Sequence, residues 1–239
     1  MRKYAFIGFM ALLFLVSCRF MGRQVRGNGV VKTEEKTVST FNEVQANGEI
    51  RLLVSQGELK PVRIECDENL LQYIEVHQEG SRLVIETRQG VNIHPSGDLN
   101  VYVTSPNYKS IEVSGSSDIT GQNKITSAEK VELGASGAGN IEMDIDAPAV
   151  DAGISGSGSI KLRGQTRDLD IDLSGAGHAY CFDLQSENTK VGISGAGSAQ
   201  VHASVSLRAE VSGAGNVTYK GKPTVSQEIS GAGNVSSAN

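Results

Sequence analysis

The chain has 239 residues with 22 Lys and Arg against 27 Asp and Glu, a formal net charge of −5. Hydrophobic residues make up 38% and charged ones 21%, while the 28 glycines amount to about 12%, against roughly 7% in an average protein. Only five Pro and three Cys exclude a collagen repeat and a disulfide scaffold, and the acidic balance excludes an overall basic surface for nucleic acid.

Arg2 and Lys3 open the chain, and an apolar stretch from Tyr4 to Val16 comes next. An apolar run this short behind basic residues predicts an export signal, not a spanning helix. The segment Leu15-Val16-Ser17-Cys18 resembles the bacterial lipobox. That resemblance implies cleavage before Cys18 and lipidation of its thiol and new amine. Residues 1–17 are then a lipoprotein signal peptide, and the membrane becomes a partner through acyl chains on Cys18. The remaining 222 residues carry a side-chain charge of −7. Residues 18–36 are polar and contain Gly22, Gly27 and Gly29, and they are expected to form a flexible tether.

Residues 37–110 read as an irregular β region that caps the second half of the chain. Strand candidates are Glu49 to Ser55, Val62 to Cys66, Ile74 to His77, Arg82 to Thr87 and Asn100 to Thr104, punctuated by Gly57, Gly80, Gly90 and Gly97. Glu68 to Gln72 is expected to form a short helical turn. Whether this region is a separate domain or the start of the next one stays open at this point.

Residues 111–239 are a repeat. A Ser-Gly unit starts at Ser114-Gly115 and returns at Ser136-Gly137-Ala138-Gly139, Ser155-Gly156-Ser157-Gly158 and Ser174-Gly175-Ala176-Gly177. It continues at Ser194-Gly195-Ala196-Gly197, Ser212-Gly213-Ala214-Gly215 and Ser230-Gly231-Ala232-Gly233. The serines are 22, 19, 19, 20, 18 and 18 residues apart. Apolar and polar residues alternate around each unit, as in Leu169, Ile171 and Leu173 before one and Val217 and Tyr219 after another. The period is too short for a four-stranded propeller blade and fits one coil of an all-β parallel β-helix, or β-solenoid. Six steps at about 4.8 Å give a stack of roughly 28 Å. The glycines are expected at tight corners with φ > 0, and the stacked serines are expected to form a hydroxyl ladder. A phosphate-binding loop is normally unique and opens a helix, whereas this unit recurs without any helical pattern after it. In the first unit Ser117 stands where the others have the second Gly.

The repeated Ser-Gly-(Ala/Ser)-Gly unit behind a lipobox resembles the bacterial family described as putative auto-transporter adhesin, head GIN domain. The similarity runs from about Phe41-Asn42-Glu43-Val44 through Tyr219-Lys220-Gly221-Lys222-Pro223 to the C-terminus. It implies an exported β-helical protein, often lipidated, and it supplies no catalytic residues.

The remaining candidate groups have simpler explanations. Asp144 and Asp146, and Asp168, Asp170 and Asp172, alternate onto outward strand faces. A calcium site or a carboxylate pair for glycoside chemistry is the sharp reading, and a solvated face that protects strand edges is the simpler one. His77, His94, His178 and His202 make no ligand-spaced pair, and His178 occupies a position that is Asn or Ser in the other units. Cys66 and Cys181 fall on apolar strand sides as small buried residues, with a disulfide the alternative in an oxidising compartment. No cofactor, metal or catalytic residue is expected. A carbohydrate-active β-helix enzyme and a calcium-dependent module stay as alternatives to a non-catalytic binding protein. The expected ligand is a cell-envelope glycan or protein. The expected place is the outer membrane, facing the periplasm.

Overall fold

A computed structural model of the chain describes residues 22–238. The expected signal peptide, residues 1–17, and the expected lipidation site Cys18 lie outside the described residues. Twenty-one strands succeed one another in chain order among the described residues. The first nine are β1 (Arg23–Arg26), β2 (Val31–Lys36), β3 (Glu43–Gly48), β4 (Arg51–Gln56), β5 (Val62–Asp67), β6 (Ile74–Glu79), β7 (Arg82–Thr87), β8 (Val91–His94) and β9 (Asn100–Ser105). Then come β10 (Ser110–Gly115), β11 (Asp118–Gly121), β12 (Ile125–Thr126), β13 (Val131–Gly137), β14 (Asn140–Gly156), β15 (Ser159–Gly175) and β16 (His178–Gly195). The last five are β17 (Ser198–His202), β18 (Ser206–Gly213), β19 (Asn216–Lys220), β20 (Thr224–Gly231) and β21 (Asn234–Ser237).

These strands wind into a parallel β-solenoid. One face stacks β7, β3, β10, β13, the second halves of β14, β15 and β16, then β18 and β20, every pair parallel. The other face stacks β9, β4, β11, the first halves of β14, β15 and β16, then β17, β19 and β21, again parallel. Between the faces lies one apolar core. Its rows hold the same side of every coil, for example Ile141, Ile160, Ala179, Ala199 and Val217 in one row and Ala135, Ile154, Leu173, Ile193 and Val211 in another. Each such Ile, Leu or Val contributes about 1.5–3 kcal/mol by leaving water.

The Ser-Gly units are the corners between the faces. The first glycine of each has φ between +89° and +135°, from Gly115 through Gly137, Gly156, Gly175, Gly195 and Gly213 to Gly231. Its carbonyl accepts the N–H of the residue after the glycine of the next coil: Ala176 donates to Gly156 at 2.9 Å, Ala196 to Gly175 at 2.8 Å and Ala214 to Gly195 at 2.8 Å. A Cβ added at any of these seven positions would lie within 2.6 Å of the carbonyl oxygen of the coil before. The second glycine of the unit points inward. At Gly215 a Cβ would meet Ile193 Cγ2 at 2.6 Å, and at Gly197 the Gly177 carbonyl at 2.7 Å.

The first repeat does not start the stack. Asn47-Gly48 in β3 is in register with Ser114-Gly115, and Gly48 already has φ +129°. Ser117 fits in place of the second glycine because its hydroxyl joins the two coils. It donates to the Gly48 carbonyl at 2.9 Å and accepts from the Ile50 N–H at 3.1 Å. The 37–110 region thus contributes solenoid layers through β3, β4, β7 and β9. It also builds a cap, in which β6 runs antiparallel on β7, β5 antiparallel on β9 and β2 antiparallel on β5. The helical turn falls at Leu71–Tyr73, after turn residues 68–70, and ends one residue beyond the expected Glu68 to Gln72.

The flexible tether expected over residues 18–36 does not hold where the chain is described. β1 pairs with β8, and β2 pairs with β5 along its whole length, Val31 against Asp67 through Lys36 against Val62. An outermost strand has no buried face, so β2 is polar after its exposed Val31 and lacks the alternation that marks a strand. Asp67 fastens this layer. Its buried carboxylate accepts the Gly29 N–H at 2.7 Å and the Ser96 hydroxyl and N–H at 2.6 and 2.8 Å.

This architecture makes two outcomes testable. Gly195→Val combines a left-handed φ with a backbone clash against the Gly175 carbonyl oxygen in mid-stack, whereas Gly233, in the last coil, has no left-handed φ and a Cβ there would meet Val211 Cγ1 at 2.5 Å and the Gly215 carbonyl at 2.9 Å. Gly195→Val is therefore expected to lower the chemical-denaturation midpoint far more, with about 1–3 kcal/mol from backbone strain alone. Equal, negligible losses would contradict stacked corners. The second concerns acid. Hydrogen bonds from Ser96 and Gly29 hold the Asp67 carboxyl below its ordinary value. A group depressed in the folded state stabilises above its unfolded pKa, and that contribution fades as pH falls through the folded one. Asp67→Ala should cost about 1–3 kcal/mol near neutrality, with the gap to wild type closing below about pH 4 in thermal melts.

Candidate binding surface

Strict register turns each outward position into a row running along the stack. On the face carrying β10, β13 and β18, one row reads Glu112, Gly134, Gly153, Asp172, Gly192, Glu210 and Glu228. The serines Ser114, Ser136, Ser155, Ser174, Ser194, Ser212 and Ser230 form the neighbouring row. Glycine at 134, 153 and 192 leaves the floor low, so shallow grooves run between the acids and the serines. The acids further along the strands of this face are partly neutralised in place. Lys130 bridges Glu132 at 2.6 Å and Asp151 at 2.7 Å, and Lys190 pairs with Asp170 at 3.1 Å. Asp172 has its carboxyl raised, first by burial and then by Asp170.

The serine row is not the expected hydroxyl ladder. From Ser136 onward the side chains are exposed, and only Ser114 makes a side-chain bond along the stack, to Asn47 at 2.8 Å. Parallel coils stand about 4.8 Å apart, too far for one hydroxyl to reach the next. The ladder forms on the other side of the corner, where longer side chains stand. Asn140 donates to Asp118 at 2.9 Å, Ser159 to Asn140 at 2.6 Å, and His178 meets Ser198 at 2.8 Å. His178 is thereby tied through its Nδ1 to the next coil.

The opposite face carries a row Glu142, Lys161, Tyr180, Gln200 and Thr218. Tyr180 is 43% exposed, with its ring centroid 6.2 Å from that of His178. The 20-residue spacing of this coil is explained here. Between Lys161 and Arg163 the pairing with β16 slips by one, so Phe182 is the extra residue of a β-bulge. It turns outward, and the Lys220 ammonium sits 4.4 Å over its ring. Sequence reasoning singles out neither aromatic, although the 20-residue interval and the aromatic outward position are both visible in it.

Cys66 and Cys181 are free and buried. Burial pushes the Cys66 thiol up to about 11 and the Cys181 thiol to about 12, so both stay protonated and inert at neutral pH. Asp144 and Asp146 meet Arg163 and Gln165, and Asp168 accepts from Asn188 and Arg167. His77 stands by Glu79 and His94 by Gln24, both in the cap. Among the described residues no three His, Cys, Asp or Glu converge as a metal site, and no helix is long and apolar enough to cross a membrane.

Stacked coils with two polar faces define a β-solenoid that presents a surface instead of enclosing a cleft. The family model described as "Putative auto-transporter adhesin, head GIN domain" matches residues 40–223, and the chain belongs to that family. Solved structures share the fold. A crystal structure of a "putative adhesin" from Bacteroides fragilis superposes with a TM-score of 0.84 at 21% identity, covering 89% of this chain and 99% of that one. One from Parabacteroides merdae, also a "putative adhesin", gives 0.72 at 26% identity, covering 91% and 100%. A "putative lipid binding protein" from Parabacteroides distasonis gives 0.76 at 22%, covering 91% and 100%. No curated protein matches the chain.

Proposed function

We propose that this chain is an exported, lipid-anchored, non-catalytic protein of the cell envelope that uses its solenoid faces to bind a glycan or a protein. The observation that carries this is the outward register. Side chains stand in rows fixed by the backbone ladder, which preorganises a broad contact surface at low entropic cost. The Ser, Asp and His residues lie in repeated or ion-paired rows and not around one cleft with an activated nucleophile. Membership of an adhesin family supports the same reading. The lipobox at Leu15 to Cys18 supports an acyl anchor, and the lack of an acidic run after Cys18 fits an outer-membrane protein facing the periplasm.

Two measurements test this. Cys18→Ala should abolish incorporation of radiolabelled palmitate and move the protein out of the membrane fraction. Labelling that persists in the variant would remove the anchor from the account. Purified protein mixed with isolated envelope polysaccharide should co-sediment with it without releasing new reducing ends or unsaturated products. Reproducible cleavage, lost on changing one Ser, His or Asp, would replace binding by catalysis.

A further inference from the structure

The repeats are their own control. The two outward positions after the second glycine of the unit are Asn140 and Glu142 in one coil, Ser159 and Lys161 in the next, Ser198 and Gln200 in a third, and Asn216 and Thr218 in a fourth. Only the β16 coil carries rings there, His178 and Tyr180. Solvation does not call for Tyr at a position that is polar in every neighbouring coil, and the packed core does not use it, since the ring is 43% exposed. Among the described residues Tyr180 is the one Phe or Tyr left exposed.

A second, independent feature lies at the same place. The β-bulge in this coil lets Phe182 and Asp183 both face outward after the buried Cys181, so the coil gains a half-buried ring two residues from Tyr180, and the Lys220 ammonium packs on it. Bulges recur where a side chain must be re-aimed at a functional surface.

We infer that His178, Tyr180 and Phe182 on β16 form a platform for one pyranose ring of a cell-envelope glycan. The inference deepens the binding function proposed above and rests on it. The chemistry that fits the platform is amphipathic on a small scale. Tyr180 offers a flat apolar face, and in-register neighbours one strand away on either side, Lys161 and Gln200, offer hydrogen-bonding groups. A pyranose has the matching form, an apolar face of C–H bonds ringed by hydroxyls. An extended apolar peptide or an acyl chain would need a longer dry strip than this single coil provides, because the rows above and below return to polar side chains. The rigid sheet holds the ring in place before binding, and tyrosine adds contact area at small conformational cost.

The test uses the full chain, wild type, Tyr180→Ala and Tyr180→Phe, with Glu58→Gln in the loop between β4 and β5, away from both faces, as a control. The probes are immobilised gluco-, galacto- and N-acetylglucosamine oligosaccharides, together with isolated peptidoglycan and lipopolysaccharide. Thermal melting checks that each variant folds, as expected for an exposed side chain. The expected result is that wild type binds at least one pyranose probe, Tyr180→Ala binds it about tenfold or more weakly, and Tyr180→Phe and Glu58→Gln keep most of the affinity. The chain lacks Trp, so titration also reads as a change in tyrosine emission that Tyr180→Phe removes selectively. Undiminished binding by folded Tyr180→Ala overturns the platform while leaving the binding function in place. So does wild type that ignores every glycan but captures an envelope protein. Wild type that binds no envelope component at all overturns both.

Discussion

The structure depends on one backbone hydrogen bond repeated at every corner. The carbonyl of the first glycine in each unit receives the N–H of the residue after the glycine of the next coil, and it occupies the space a Cβ on that next glycine would take. The same residue must also turn the chain at a φ that L side chains avoid. Glycine is thus required twice over, once by conformation and once by contact. Because the bond continues the strand ladder through the corner, register is restored at every corner, even past the slip in β16. The faces owe their function to this, since rows of like positions exist only if each coil sits squarely on the last.

The two ends of the stack are built differently. At the start, antiparallel strands β2, β5 and β6 turn the parallel ladder into a closed edge, with Asp67 tying β5 to the segments around Gly29 and Ser96. At the finish, every residue of β20 is exposed, and Val225 and Ile229 lie in rows that are core elsewhere. Gln227 replaces the core residue of that row, where Val191 and Ala209 precede it. The last coil is consequently held by the ladder more than by burial.

The repeat and its corners are legible in the sequence because a contact made seven times leaves seven copies of its requirement. The sequence conceals whatever happens once. The Asn47-Gly48 corner carries Asn in place of Ser, and after β4 the chain builds the cap and the layer of β7 and β9 on the other side of β3 and β4 before it resumes at β10, so the interval of 67 residues between Asn47 and Ser114 hides the period. β2 reads as tether because an edge strand facing water on both sides has no alternation to reveal it. The serine ladder fails for a matter of reach, and the working ladder uses Asn, Asp and His, whose longer side chains span the coil spacing. Tyr180 and Phe182 are visible only as a break in a pattern, which carries meaning once the pattern has a geometry.

Native-state hydrogen exchange at the corners tests the central claim most directly. Ala176, Ala196 and Ala214 are solvent-exposed residues, and by exposure alone their amides would exchange fast. If their N–H groups are bonded to the glycine carbonyls of the preceding coils, they will exchange as slowly as the buried strand amides of Ile171 and Val191 beside them. Exchange at the rate of an open loop would show that the corners are not bonded through, and that the coils are held together by their core alone.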